Sequence, residues 1–175
     1  FSGCNLRCVY CQNYGISRGE VGREVTEERL CEIFFELKAQ GANNINLVTP
    51  THFSEPIKRA VAAAKGKGLG LPVVWNTGGY EKAEMIASLD KTVDIYLTDF
   101  KYMSSSLAEK YSAARDYPEF AKSALAEMVR TKGRPVTENG LMKSGVIVRH
   151  LVLPGCTDDS IRTMDYLHSE YGDDI

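Results

Sequence analysis

The sequence has little that would suit a membrane or a nucleic acid. It carries 21 Lys and Arg residues against 23 Asp and Glu residues, so its net charge is near −2. Such a balance gives no basic surface of the kind that binds a phosphate backbone. No apolar run approaches the roughly 18 residues that a membrane-spanning helix requires. We therefore expect neither a nucleic-acid partner nor a membrane partner.

The sequence also lacks the second ligand pair that a structural zinc site needs. Three of the five cysteines, Cys4, Cys8 and Cys11, lie within eight residues. A zinc site would require another C-x2-C or H-x3-5-H pair farther along the chain, and the three histidines all stand singly. The odd cysteine count and the tight cluster also argue against a disulfide framework, which favours a reducing, cytoplasmic location.

Three thiolates in one loop suit a four-iron cubane cluster that keeps one iron open. A cubane held wholly by protein takes four cysteines, and this run supplies three. Cys31 falls in a predicted amphipathic helix, where a small packed residue is expected, and Cys156 follows a Pro-Gly turn as a free thiol. One alternative stays open, a non-catalytic iron–sulfur or zinc-binding module whose fourth ligand would be Cys31, Cys156 or a histidine.

Apolar runs of strand length alternate with helical periodicity, which predicts an α/β fold with a mainly parallel sheet. Strands are predicted at 45–48, 72–75, 93–97 and 146–153, after a stub of a first strand at 1–2. Helices are predicted around 30–37, 54–64, 85–89, 117–128 and 161–167, with Ser54 as an N-cap and 135–145 as a polar connector that turns at Asn139-Gly140. Because ligands bind beyond the carboxyl ends of parallel strands, the polar loops there should converge on one mouth.

The cysteine run, C-x3-C-x2-C with Tyr10 before its last cysteine, resembles the signature of radical S-adenosylmethionine (SAM) enzymes. Further segments resemble, in the same order, the activating-enzyme branch related to pyruvate formate-lyase activase; they are 1–8, 76–78, 97–101, 148–155 and 158–159. The resemblance implies a partial parallel (β/α)6-type barrel. It further implies that residues 1–175 are a single core domain, truncated at both ends and lacking part of the first strand and the C-terminal strand.

The resemblance also implies the cofactors and their chemistry. Cys4, Cys8 and Cys11 would hold a 4Fe-4S cluster, and SAM would chelate the open iron. Reductive cleavage of SAM would give a 5′-deoxyadenosyl radical that abstracts a hydrogen atom from the substrate. Eight residues are expected near the bound cofactor: Tyr10, Asn13, Thr49, Thr51, Asn76, Asp99, Lys101 and Arg149.

Two of these expectations carry alternatives. The related branch has a Gly-Gly-Glu element after its second strand, whereas this chain has Thr49-Pro50-Thr51-His52. Backbone carbonyls and a threonine hydroxyl there could still accept hydrogen bonds from an ammonium group. Asp99 and Lys101, which alternate on one strand face, could instead form a buried ion pair that only fills the barrel.

The resemblance finally implies an oxidoreductase of the class EC 1.97.1.- and its partners. The expected substrate is a protein or peptide, with a glycine of a glycyl-radical enzyme as the leading case. Radical modification of another peptide or of a small molecule is the alternative. A flavodoxin or ferredoxin is expected to supply the electron.

Overall fold

The computed structural model describes residues 1–19 and 21–175. Within them, five strands form one sheet in the order β1-β2-β3-β5-β4. The strands are β1 Ile45–Val48, β2 Val73–Thr77, β3 Ile95–Asp99, β4 Val136–Glu138 and β5 Leu141–Arg149. Strands β1, β2, β3 and β5 run parallel, and β4 pairs antiparallel with the first half of β5. The predicted, mainly parallel sheet is confirmed.

Helices connect the parallel strands, as a βα architecture requires. The helices are α1 Tyr14–Ser17, α2 Glu27–Ala39, α3 Ser54–Gly66, α4 Ala83–Ala87, α5 Ser105–Ser112, α6 Tyr117–Lys132 and α7 Thr157–Tyr171. Two of them begin at side-chain caps, because Thr26 accepts from the Arg29 amide and Ser104 accepts from the Leu107 amide. Single 3-10 turns cover Thr51–Phe53 and Gly172–Asp174.

The two faces of the sheet differ in burial. One face packs into the hydrophobic core, where Leu47, Trp75 and Tyr96 are at most 3% exposed. On the other face, Val48 is 42% exposed and Ile147 is 43% exposed. These two residues are the ends of one row across the sheet, since Val48 pairs with Asn76, Asn76 with Leu97, and Leu97 with Ile147. We call this the open face; the next row toward the strand ends contains Asp99 and Arg149.

Several predicted boundaries are wrong. Phe1 and Ser2 form no strand, although the N-terminal ammonium donates to the Val48 carbonyl at 3.1 Å. Asn76 and Thr77 belong to β2, whereas the predicted strand ended at Trp75. The last predicted strand ends at Arg149, so residues 150–153 lie beyond it.

The predicted polar connector, residues 135–145, is mostly β-hairpin. Strands β4 and β5 take up most of it, and the turn at Asn139-Gly140 is correctly predicted. Both turn residues have positive φ, 52° and 76°, which is the backbone that an Asn-Gly hairpin turn needs.

Two helix predictions need correction, and two helices were not predicted. Ser54 is the first residue of α3 rather than its cap, and α3 has no side-chain cap. In α7, Ile161 and Met164 are 54% and 46% exposed, so only Leu167 of the predicted apolar stripe is buried. The buried face carries Asp159, Ser160, Thr163 and Leu167. Two helices were not predicted: α1, which has four residues, and α5, which has only two buried residues.

In the described part of the chain, none of the helices combines the length and apolarity that a bilayer crossing demands.

Candidate functional site

The cysteine loop, residues 1–11, lies across the carboxyl ends of the strands. Its start is bonded to the end of β1 through the Phe1 ammonium and the Val48 carbonyl, and the His52 ring lies 2.5 Å from the Ser2 carbonyl oxygen. Asn5 donates from its side-chain amide to the Tyr80 carbonyl at 2.7 Å, which ties the loop to the segment after β2. The cysteine loop therefore lies beside the loops at the strand ends, as the sequence predicts.

The loop is also packed at its centre. Leu6 is 4% exposed, and a Cβ placed on Gly78 would lie 3.0 Å from Leu6 Cδ1. The same Cβ would lie 3.8 Å from Lys101 Cε. The cysteine loop, the segment after β2 and Lys101 are therefore in close proximity. Small Gly78 allows this close approach.

All three thiols of the loop are free and partly buried, as cluster ligands must be before loading. The Leu6 amide donates to Cys4 Sγ at 3.4 Å, and the Ser112 hydroxyl donates to Cys8 Sγ at 3.0 Å. Burial raises the pKa of the Cys4 thiol, while the Leu6 amide opposes that rise. Cys11 Sγ lies 3.5 Å from Ser17 Oγ. Cys4 and Cys8 thus accept hydrogen bonds at sulfur, as thiolate ligands do, and a set of three cysteine sulfurs suits an iron–sulfur cluster.

A single metal ion fits the described residues less well. Among residues 1–19 and 21–175, no three His, Cys, Asp or Glu side chains are grouped to hold one ion. A zinc ion would need its sulfur ligands at about 2.3 Å. A cubane spreads its thiolates over separate irons, so it does not require the sulfurs to meet at one point.

Helix α5 holds the middle of the cysteine loop. The Arg7 and Val9 amides, on either side of Cys8, donate to the Ser112 and Tyr111 carbonyls at 3.0 and 2.9 Å. Helix α5 ends here because Ala113 adopts a left-handed conformation with φ 53°. No pattern in the sequence indicated this anchor, since α5 was not predicted.

Tyr10, expected near the adenine, has its hydroxyl 2.5 Å from that of Tyr102. The Tyr102 hydroxyl in turn lies 2.7 Å from Ser112 Oγ. Burial, with the Tyr102 hydrogen bond second, raises the pKa of Tyr10 far above its ordinary value. Tyr10 is therefore neutral at physiological pH.

Asn76, Asp99, Lys101 and Arg149 come together, as expected for a shared site. Asp99 accepts from Lys101 Nζ through one carboxylate oxygen and from Arg149 Nε through the other, both at 2.5 Å. Arg149 Nη2 also lies 3.5 Å from Asn76 Oδ1. The ion-pair alternative is thus partly right, because the Asp99–Lys101 pair exists and is 12–14% exposed. Two cations on one carboxylate leave one net positive charge, and Arg149 stays 54% exposed.

The loop after β1 contacts a buried acidic residue, Glu81, that the sequence analysis did not identify. Thr49 has an unusual positive φ of 50°, and its amide donates to the Asn76 carbonyl at 2.8 Å. The Thr51 hydroxyl donates to Glu81 Oε1 at 2.6 Å, and the Thr77 hydroxyl donates to the same oxygen. Burial raises the pKa of Glu81. A carboxylate from the loop after β2 thus lies beside Thr51, and only three-dimensional contact could have identified it.

The other candidates lie apart from this cluster of polar groups. Asn13 is exposed at the start of α1 and makes no cap. Cys31 is 4% exposed in the core, as its helix position predicted. Cys156 immediately precedes α7. His150, which was one of the candidate fourth ligands, has its two ring nitrogens at hydrogen-bond distance from the Phe100 carbonyl and Ser160 Oγ.

The comparisons with known proteins agree with this geometry. The sequence profile described as "Radical SAM superfamily" matches residues 1–167. The chain is 30% identical over 170 residues to the uncharacterized protein MJ0674 of Methanocaldococcus jannaschii, covering 90% of this chain and 44% of that protein. It is 24% identical over 179 residues to pyruvate formate-lyase 1-activating enzyme of Escherichia coli, covering 91% of this chain and 61% of the enzyme.

Solved structures with the same fold include SuiB of Streptococcus suis, with a TM-score of 0.68 at 14% identity. That match covers 96% of this chain and 35% of SuiB, and the structure of SuiB bound to the precursor peptide SuiA matches with a TM-score of 0.67. The predicted partial-barrel fold is confirmed. The chain spans between about a third and three fifths of the proteins that it matches.

Proposed function

Since this chain belongs to the Radical SAM superfamily, whose members use a 4Fe-4S cluster and SAM, we propose that it contributes the cluster and SAM site of an enzyme acting on a protein or peptide. The observation that carries the proposal is the position of the three free thiols beside Lys101, at the carboxyl ends of parallel strands. When bound, the cluster and SAM supply the electron and the 5′-deoxyadenosyl radical.

Cys4, Cys8 and Cys11 are the proposed cluster ligands. Their loop is held at three points, by the end of β1, by the Tyr80 carbonyl and by α5. A loop fixed in this way keeps its sulfurs in place when the cluster changes charge. Cys31 is buried in the core and is not a proposed ligand.

Lys101, Arg149 and Asn76 are proposed to orient the amino-acid end of SAM. Asp99 neutralises one of its two cationic neighbours, so a carboxylate that enters would meet one unbalanced positive charge. Arg149, the more exposed cation, is the better placed to bind that carboxylate. The Asp99 carboxylate, the Thr49 carbonyl and the Thr51 oxygen remain as acceptors for an ammonium group. Tyr10 and Asn13 are proposed to lie toward the adenine.

A protein or peptide substrate is supported by the open face and by the relatives. Val48 and Ile147 leave apolar surface exposed next to the polar site, which suits a large substrate better than a small polar one. By its name, the Escherichia coli relative activates pyruvate formate-lyase, and SuiB has been seen with a precursor peptide. Hydrogen abstraction from a glycine of a glycyl-radical enzyme is one form of the proposal, and modification of another peptide is the second.

The test is anaerobic reconstitution of the full-length protein with iron and sulfide, followed by dithionite and SAM. We expect 5′-deoxyadenosine and methionine as products, and their loss in the variant Arg149→Met. Lys143→Met is the matched control, because it removes a cation near the opposite ends of the strands. A fully loaded wild-type protein that never cleaves SAM would refute the proposal. Glycyl-radical formation in an added partner enzyme would distinguish the two substrate forms.

A further inference from the structure

Three hydroxyl groups form a chain of hydrogen bonds that ends at the sulfur of Cys8. The Tyr10 and Tyr102 hydroxyl oxygens are 2.5 Å apart, Tyr102 and Ser112 are 2.7 Å apart, and Ser112 Oγ is 3.0 Å from Cys8 Sγ. Ser112 is fully buried and Tyr102 is 1% exposed, so water does not compete for the contact between their hydroxyls. The chain of hydroxyls bridges residues as far apart in sequence as 8 and 112.

The direction of donation follows from counting protons. Each hydroxyl has one proton, and a thiolate ligand can only accept. If Ser112 donates to Cys8, its oxygen must accept from Tyr102, and the Tyr102 oxygen must accept from Tyr10. All three O–H dipoles then point toward the sulfur, and each bond polarises the next.

The three cysteine sulfurs differ in the hydrogen bonds that they make. Cys8 accepts from a buried hydroxyl at 3.0 Å, whereas Cys4 accepts from a backbone amide at 3.4 Å. Ser17, the hydroxyl beside Cys11, donates instead to the Tyr14 carbonyl at 2.9 Å. The chain of three hydroxyls therefore acts on one of the three proposed ligand sulfurs, that of Cys8.

We propose that Ser112, supported by Tyr102 and Tyr10, raises the reduction potential of the cluster through Cys8; this proposal rests on the proposed function only for the presence of the cluster. Reduction adds negative charge, which spreads onto the thiolate sulfurs. A hydrogen bond donated to a ligand sulfur stabilises that added charge, and such bonds are among the factors that set cluster potentials. Ser112 is thus a positioning and tuning residue that touches neither SAM nor the substrate.

The experiment is a potentiometric titration of the reconstituted full-length protein, followed by electron paramagnetic resonance (EPR) of the reduced cluster. For Ser112→Ala we expect the ratio of reduced to oxidised cluster at a fixed potential to fall about tenfold, which is about 59 mV for one electron. Tyr102→Phe, which keeps the Ser112 hydroxyl, should give a smaller shift in the same direction. Ser106→Ala is the matched control, since Ser106 is exposed on the same helix and bonds to Ser104.

An unchanged potential in both loaded variants would overturn the proposal, as would a shift to higher potential. Tyr102→Phe decides the question if Ser112→Ala does not fold. The readout is independent of catalysis, so a loaded protein that cleaves no SAM refutes the proposed function but still gives a potential. A wild-type protein that takes up no cluster refutes both.

Discussion

The Asp99 carbonyl oxygen would lie 2.2 Å from a Cβ placed on Gly79. Gly79 has φ +79°, and the same Cβ would lie 3.0 Å from the Tyr117 hydroxyl. That hydroxyl is within 3.0 Å of the Gly78 and Asp99 carbonyls and accepts from the Lys101 amide at 2.9 Å. The ends of β2 and β3 therefore meet at a point where no side chain fits, directly under the proposed SAM site.

Gly79→Ala should consequently be far more harmful than an alanine at an unobstructed glycine of similar backbone. We expect Gly79→Ala to lower the free energy of unfolding by roughly 3 kcal/mol or more, from strain plus displacement of the Asp99 carbonyl. Gly155→Ala is the matched control, with φ +73° and open space, and should cost about 1 kcal/mol. Urea unfolding measures both. Equal losses in the two variants would show that the close approach at Gly79 is unimportant.

Asp99→Asn tests the ion-pair cluster. The substitution leaves Lys101, whose side chain is 14% exposed, without its charge partner, and we expect a loss of about 2 kcal/mol in the free energy of unfolding. Lys101→Met should cost less, because Asp99 keeps Arg149. Asp165→Asn, an exposed position, is the control in the same urea experiment. A harmless Asp99→Asn would mean that the cluster does not hold these strand ends together.

Glu81 predicts a pH dependence of stability. Its folded-state pKa is raised by burial above the ordinary value of 4.5, so the folded protein favours the protonated carboxyl. The stabilisation is complete below the unfolded-state pKa and is lost as the pH rises through the folded-state pKa. We therefore propose to measure the free energy of unfolding of Glu81→Gln and of wild type between pH 4 and pH 8. The value for the variant minus that for wild type should increase with pH, because glutamine does not ionise.

The matched control for that series is Glu24→Gln, at an exposed position. That variant removes a carboxyl group from the surface and leaves the buried site intact, so it measures the general effect of losing one acidic group over the same pH range. The interpretation of Glu81 would be wrong if the Glu81→Gln difference were flat, or if wild type gained on it with rising pH.

Removal of single cysteines separates ligands from the remaining thiols. Cys4→Ala, Cys8→Ala and Cys11→Ala should each lose most of the reconstituted iron and sulfide, because two thiolates do not retain a cubane. Cys31→Ala and Cys156→Ala should keep both and serve as controls for thiol loss. Iron and sulfide assays give the answer. Loss of the cluster in either control variant would indicate a fourth protein ligand and favour the alternative of a non-catalytic iron–sulfur module.

What the sequence could predict was local. The cysteine triplet, the Asn-Gly turn and the polar residues at strand ends could be identified because each signal lies within a few neighbouring residues. The approach of Asn76, Asp99, Lys101 and Arg149 followed from the parallel sheet itself, since its strand ends meet at one edge.

What the sequence could not predict depends on tertiary contact. Glu81 meets Thr51 across 30 residues, and Ser112 meets Cys8 across 104, so no local pattern encodes either contact. In α7, the polar residues Asp159, Ser160 and Thr163 are buried while Ile161 is exposed. Asp159 is buried because it accepts from the Met103 amide at 3.0 Å and pairs with Arg162, which hydrophobic periodicity cannot show.

The most direct test of the central claim, a cluster on three cysteines with one iron open, is the EPR spectrum of the reduced full-length protein before and after SAM is added. We predict a four-iron signal that changes on addition of SAM. The signal should not change on addition of adenosine, which lacks the methionine part of SAM. The spectrum should respond in the same way in Cys31→Ala and Cys156→Ala. An identical spectrum with and without SAM, or a purified protein that binds zinc and no iron, would contradict the account.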